Sequence, residues 1–195
     1  MIQGSQASVP DHAVVLATDR LLLRAFQPED AEELYAAVVE SKTELGQWLS
    51  WCHADYSIHD TIEFLRLRGE AFREGEHSFA LFEQSGQRLI GAAGINQLDP
   101  VTLRANLGYW LRTTATGHGY ATEATRLIAR FAFETLNLER IEIVAATGNL
   151  ASQRVATAAG ATREGIARAR LRVHGVQHDA VVYSLIRSDL LDNKL

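Results

Sequence analysis

Thr116-Gly117-His118-Gly119-Tyr120-Ala121-Thr122-Glu123-Ala124 is the stretch whose reading decides the fold. It follows the apolar run Leu107-Gly108-Tyr109-Trp110-Leu111 and opens a segment of helical periodicity. Gly117 and Gly119 let the backbone curl tightly and bring its N–H groups close to a ligand. A helix starting there sets those N–H groups at a positive dipole end, which suits phosphate oxygens. The loop carries no lysine, so it is not a Walker-type phosphate loop. Taken alone, Gly-x-Gly before a helix also describes an ordinary tight turn.

Working outward, residues 16–26 read as a first strand, and Pro28 suits a helix first turn with Glu29 and Asp30 near its positive end. Leu34, Val38 and Leu45 continue an apolar face. Ser57 is a candidate N-cap for a helix over 58–74 that stops at Gly75, with Ile62, Leu65 and Phe72 near one side. Residues 79–83 and 88–97 read as a hairpin around Ser85-Gly86, and Asp99-Pro100 breaks the chain before a strand over 105–111. After the glycine loop, 120–135 is a helix with Ala124, Leu127, Ile128, Phe131 and Leu136 as its buried stripe. A short strand at 140–146, a helix at 149–159 closed by Gly160, and a hairpin of 166–173 with 179–186 around Gly175 complete the chain. This order predicts an α+β domain with a mixed, mostly antiparallel sheet flanked by helices.

The 195 residues, 47% of them hydrophobic, suffice for one domain with a sizeable core, with residues 1–11 as a flexible polar tail. A formal net charge of −5 gives no reason to expect a nucleic-acid partner. No signal peptide or membrane span is legible, and Cys52, the only cysteine, points to a reducing compartment, so a cytoplasmic location is expected. Nothing in the spacing of His, Cys, Asp and Glu suggests a metal.

The glycine loop resembles the acyl-coenzyme A pyrophosphate loop of the GNAT N-acetyltransferases, Q/R-x-x-G-x-G/A. Gly119 and Ala121 match, while Thr116 stands where Gln or Arg is usual. Three further stretches resemble the RimJ/RimL branch, which acetylates ribosomal-protein N-termini: Arg20-Leu21-Leu22-Leu23-Arg24 with Pro28-Glu29-Asp30-Ala31; Leu107-Gly108-Tyr109-Trp110-Leu111; and Asn149-Leu150-Ala151-Ser152 with Ala159-Gly160. They span nearly the whole chain, in order. The resemblance implies acetyl-CoA as co-substrate, held by Thr116, Gly117, His118, Gly119, Tyr120, Ala121 and Thr122. It implies a splayed strand at Tyr109, Trp110 and Leu111 that pairs with the pantetheine arm, with Gly108 suited to a bulge. Asn149 would bond the same arm. It implies an amine acceptor, and it is compatible with a homodimer.

Many members carry a tyrosine acid seven residues after the Asn; here that position is Ala156. The RimL-like pattern instead puts Ser152 near the thioester sulfur, as cofactor contact and proton donor. Its alternative is a first-turn helix residue making local bonds. The base is missing from the pattern: Asn106 stands where relatives often carry Glu, and Leu171 is the nearest match to a second Glu in the penultimate strand. His53, Glu76, His77 and His174 are further candidates. Without a strong base, an α-amine with pKa near ~8 is a better acceptor than a lysine near ~10.4. Arg168, Arg170 and Arg172 alternate with apolar residues, which on a strand puts them on one face, either solvated or flanking an anionic acceptor. Trp48, Trp51 and Tyr56 cluster between helices where the family walls its acceptor pocket; Trp48, Trp51 and Arg170 are the candidate acceptor contacts. A small-molecule amine acetyltransferase, an acyl-CoA-binding module without catalysis, and a nucleotide-binding domain are the competing readings. The last lacks both a phosphate-loop lysine and an acidic residue placed for a ribose.

Overall fold

Leu21 and Leu23 are fully buried on one side of a strand while Leu22 packs toward the other, so this strand lies between two layers. The computed structural model describes residues 14–73 and 76–191. Its strands are β1 (Val15–Ala17), β2 (Leu21–Ala25), β3 (His77–Glu83), β4 (Arg88–Asp99), β5 (Arg104–Leu111), β6 (Arg140–Ala146), β7 (Thr162–Val173) and β8 (Val176–Ile186). They form one sheet in the order β1-β2-β3-β4-β5-β6-β8-β7. Every neighbouring pair is antiparallel except β5 with β6. The helices are α1 (Ala31–Glu40), α2 (Lys42–Gly46), α3 (Ile58–Arg73), α4 (Tyr120–Glu134), α5 (Leu150–Ala158) and α6 (Ser188–Leu191). The expected α+β fold is the observed one.

Each sheet face has its own core. On one, α4 lays Ala124, Ile128, Ala129, Phe131 and Ala132 against Phe79, Ile95, Leu107 and Ile141. The alanines keep that helix thin, so it approaches the sheet closely. Each large side chain buried there stabilises by about 1.5–3 kcal/mol. On the other face, Leu34 and Val38 of α1 and Leu65 of α3 pack over Ala80, Phe82 and Leu89. Gly94 fits where β3 and β4 press together: a Cβ there would meet His77 O at 2.4 Å.

Several local expectations are corrected. Residues 16–26 form two strands, β1 and β2, because Thr18 turns the chain: its N–H donates to Leu21 O (2.9 Å) and its hydroxyl accepts from Leu21 N (3.0 Å). Ile62 is exposed, since α3 buries Thr61 and Leu65 instead. Gly108 makes no bulge; it pairs squarely with Gly94. Pro28–Asp30 is a 3-10 turn before α1, locked by Arg24, whose guanidinium donates to both Asp30 oxygens at 2.7 and 2.8 Å. The tail over 1–11, the stop at Gly75 and the side chain of Phe72 lie outside the described residues.

The parallel contact positions the site. Only Arg104↔Arg140, Ala105↔Ile141 and Asn106↔Glu142 pair across it. Beyond Asn106, β5 stays with β4 as far as Leu111, and β6 stays with β8 as far as Ala146. The two strands therefore splay apart, leaving an opening lined by strand edges.

Candidate active site

At the mouth of the splay, β5 passes through the 3-10 turn Thr113–Ala115 into the glycine loop. Gly117 and Gly119 take φ of +81° and +82°, a left-handed conformation costly for residues with a Cβ. Gly119 is the N-cap of α4, whose first backbone bond runs from Glu123 N–H to Gly119 O (3.0 Å). The amides of the preceding turn have no intrahelical acceptor, which leaves them available to an anion. His118 and Gly119 are exposed; the hydroxyl of Thr116 is turned away, donating to Thr113 O (2.8 Å).

The loop is braced from two sides. Arg20 donates to the His118 carbonyl (3.0 Å) and to Glu123 (2.8 Å), and the hydroxyls of Thr18 and Tyr120 bond Glu123 and Glu83. Behind it, Glu40 of α1 accepts from Thr114 N–H (3.1 Å) and its hydroxyl (2.7 Å), with Arg112 at 3.3 Å and Arg88 at 3.4 Å. Burial pushes the Glu40 carboxyl up, but the two Thr114 bonds and the two arginines prevail and hold it below its ordinary value.

In the throat of the splay, the Tyr109 hydroxyl reaches from β5 to the first turn of α5. It lies 3.0 Å from Ser152 O and 3.1 Å from Ser152 Oγ. Burial pushes the phenol up to about 12, against the opposing pull of the Ser152 bond. Asn149 caps α5, its Oδ1 accepting from Ser152 N (3.0 Å). Its Nδ2 has no partner among the described residues. Ala156 is fully buried in the core.

Trp51 stacks obliquely with Trp110 (5.8 Å) and Tyr56 (5.9 Å). Trp48 lies apart from that cluster, against Gly148, where an added Cβ would stand 3.2 Å from the indole. A cavity of about 350 Å³ is lined by Lys42, Gly46, Cys52, His53, Ala54 and His174. His174, at the tip of the β7–β8 hairpin, closes one side through its Nε2 contact with Gly46 O (2.9 Å). Cys52 is buried, and burial pushes its thiol up, which disfavours the thiolate.

The four proposed bases are scattered. His77 is wedged between Phe79 and Phe131 in the core, Glu76 pairs with Arg68 (3.1 Å), His53 faces Asp60 (3.7 Å), and His174 is the hairpin latch. The one-faced arginine strip is also corrected. β7 carries two extra residues between Ala167↔Ala180 and Leu171↔His178. Ala169 sits there at φ +48°, its N–H donating to Asp179 (2.8 Å). Arg172 bonds Gly175 O (3.3 Å), while Arg170 lines a polar cavity of about 80 Å³ with Gln97, Arg104, Asn106 and Glu142.

Two residues of this site escaped sequence reasoning. Arg20 was visible only as part of a strand pattern, and nothing local ties it to the loop. Glu142 is brought to Asn106 by the parallel pairing, so a carboxylate does stand beside the amide that replaces the familiar Glu.

Residues 20–162 match the acetyltransferase (GNAT) domain. The chain belongs to the GNAT acetyltransferase family. It is 34% identical over 174 residues to YdaF of Bacillus subtilis (strain 168), provisionally named a ribosomal N-acetyltransferase; the match covers 88% of this chain and 93% of that protein. A Vibrio cholerae structure, provisionally named a ribosomal-protein-serine acetyltransferase, superposes with a TM-score of 0.80 at 33% identity, over 89% of this chain and 98% of the other. RimL, a ribosomal α-N-protein acetyltransferase solved with coenzyme A, shares the fold with a TM-score of 0.82 at 23% identity, over 89% and 98% of the two chains. This GNAT enzyme is therefore an N-acetyltransferase with acetyl-CoA as donor. Among the described residues no helix is long and apolar enough to cross a membrane, and no cluster of three or more His, Cys, Asp or Glu could hold a metal.

Proposed function

We propose that this enzyme acetylates the α-amine of a protein or peptide N-terminus. The observation that carries the reading is the splay between β5 and β6, with the free amides of the glycine loop at its mouth and the Tyr109–Ser152 pair in its throat. The amides of residues 117–122 hold the pyrophosphate. The edge of β5 at Tyr109, Trp110 and Leu111 and the Nδ2 of Asn149 receive the pantetheine arm, as an added strand would be received. Thr116 donates both its N–H and its hydroxyl to Thr113 O, so it shapes the loop and leaves the phosphate contacts to the residues after it.

The thioester then sits beside Ser152, whose hydroxyl protonates the departing thiolate. Trp48, Trp51 and Arg170 wall the acceptor. The kinship with YdaF, named for ribosomal substrates, supports a protein N-terminus. The 350 Å³ cavity, of small-molecule size, favours a second reading: a small amine such as a polyamine, amino acid or antibiotic. Thiol release from acetyl-CoA, screened against N-terminal peptides and those small amines, decides between them. Absence of release with every amine would leave an acyl-CoA-binding module. The expected homodimer rests on resemblance alone, and light scattering tests it.

A further inference from the structure

We infer that Glu142 is the carboxylate that receives the acceptor's ammonium group and takes its proton. The inference rests on acetyl transfer to a primary amine, as proposed above. Asn106 and Glu142 form the last paired rung before β5 and β6 diverge, so both side chains stand at the closed end of the splay. Asn106 cannot take a proton, and its Nδ2 donates to Asn96 Oδ1 (3.0 Å). That leaves its own Oδ1 as an acceptor in the same cavity.

Glu142 is held but not saturated. Arg140 from its own strand and Arg104 from β5 reach it at 3.1 and 3.6 Å, and both contact Oε1. Its Oε2 has no partner among the described residues. Arg140 is engaged mainly elsewhere: its two terminal nitrogens donate to both oxygens of Glu164 at 2.6 and 2.7 Å, and Ser184 completes that pair (2.7 Å). The side chain of Glu142 is 18% exposed, and it lines the polar cavity with Asn106 and Arg170. Glu142 Oε2 and Asn106 Oδ1 thus offer two oxygen acceptors to an ammonium, which has only donors. Arg104, Arg140 and Arg170 supply the facing positive charge, and Glu164 and Asp99 offset part of it.

The step balances as follows. The ammonium first gives one proton to Glu142 Oε2, directly or through one water, and Glu142 passes it to solvent. The free amine nitrogen then forms a bond to the thioester carbonyl carbon and gives a second proton to the same oxygen. The C–S bond breaks, and the thiolate takes the Ser152 proton, which solvent replaces by way of Tyr109. Glu142 returns its proton to solvent. Ammonium and thioester become amide, thiol and one released proton.

A distinct pH signature follows. A carboxylate–ammonium pair carries one proton in total, so the wild-type kcat/KM with an α-amine peptide stays level from pH ~6 up to the acceptor's own pKa near ~8. In Glu142→Gln the rate waits for free amine, and it climbs about tenfold per pH unit over that range. At pH ~6 the variant lies roughly 10²-fold below wild type, with coenzyme A affinity unchanged. Asn106→Glu in the Glu142→Gln background restores a carboxylate one strand away and recovers at least about tenfold. A wild-type profile that itself climbs tenfold per unit overturns the inference without any variant, and so does a Glu142→Gln profile identical to wild type. Either result leaves the acetyltransferase reading standing. Failure of the wild type to acetylate any amine removes both.

Discussion

The Tyr109 hydroxyl stands 3.1 Å from Ser152 Oγ and donates to Ser152 O (3.0 Å), so a strand and a helix on opposite sides of the splay are tied through one phenol. The phenol, pushed up to about 12, stays protonated throughout the working range and can both orient the serine hydroxyl and resupply it. Ser152→Ala should lower kcat roughly 10²-fold or more, with coenzyme affinity within a few-fold of wild type. Tyr109→Phe keeps the ring and removes the partner, and it should lower kcat roughly tenfold, again without a matching loss of affinity. Steady-state kinetics with calorimetry of coenzyme A binding separates the two parameters. Intact turnover in Ser152→Ala would mean that a water protonates the thiolate and that Ser152 is only a capped helix residue.

Gly119 tests the loop. Its added Cβ would meet only Arg20 Nη2 at 3.7 Å, so space is available, but φ is +82°. Gly119→Ala should strain the cap by roughly 1–2 kcal/mol. Gly119→Asp adds a negative charge where the pyrophosphate binds, and it should weaken coenzyme A by a further factor of roughly ten or more. Equal coenzyme affinity in Gly119→Asp and wild type would place the phosphates elsewhere.

Glu40 makes the loop's brace sensitive to acid. Its folded carboxyl is held below the ordinary 4.5, so the stability it contributes is present above that value and is lost as pH falls through the folded pKa. Glu40→Gln should lower the melting temperature by roughly 2–4 °C at neutral pH, the shift for ~1 kcal/mol in a chain of this size. The gap to wild type should close as pH falls through the folded pKa, where the wild-type carboxyl becomes protonated too. Melting curves from pH 3 to 7 read this directly, and a gap that widened in acid would contradict it.

Arg168 and Arg170 have no polar partner among the described residues, and Arg170 lines the polar cavity beside Asn106 and Glu142, where the proposed acceptor would sit. An acidic residue just after the acceptor α-amine should therefore lower KM several-fold at low salt. Raising ionic strength toward 1 M, where the screening length shrinks to about 3 Å, should erase the benefit. Arg170→Ala should remove the same preference and leave kcat for a neutral peptide unchanged. A preference that survives both treatments has another source.

The local parts of the site were legible in the sequence because their causes are local. Gly117 and Gly119 ahead of an alanine-rich stripe, and Asn149 ahead of Ser152, carry their geometry in neighbouring residues. The break at Thr18 was hidden by the leucines around it, which read as one continuous strand. The alternation of Arg168, Arg170 and Arg172 misled because Ala169 adopts a left-handed conformation that alternation does not reveal. Glu142 was out of reach for a different reason. Its meaning depends on the strand beside it, and the whole of α4 separates the two in the chain.

The three-rung contact between β5 and β6 is also a thin seam of the sheet. The strands from β1 to β5 and the trio β6, β8 and β7 are each continuously laddered, but only a short seam joins them within the sheet. A coenzyme lying in the gap would supply hydrogen bonds that the seam lacks and act as a removable suture. Amide hydrogen exchange along β5 should then slow sharply when coenzyme A binds.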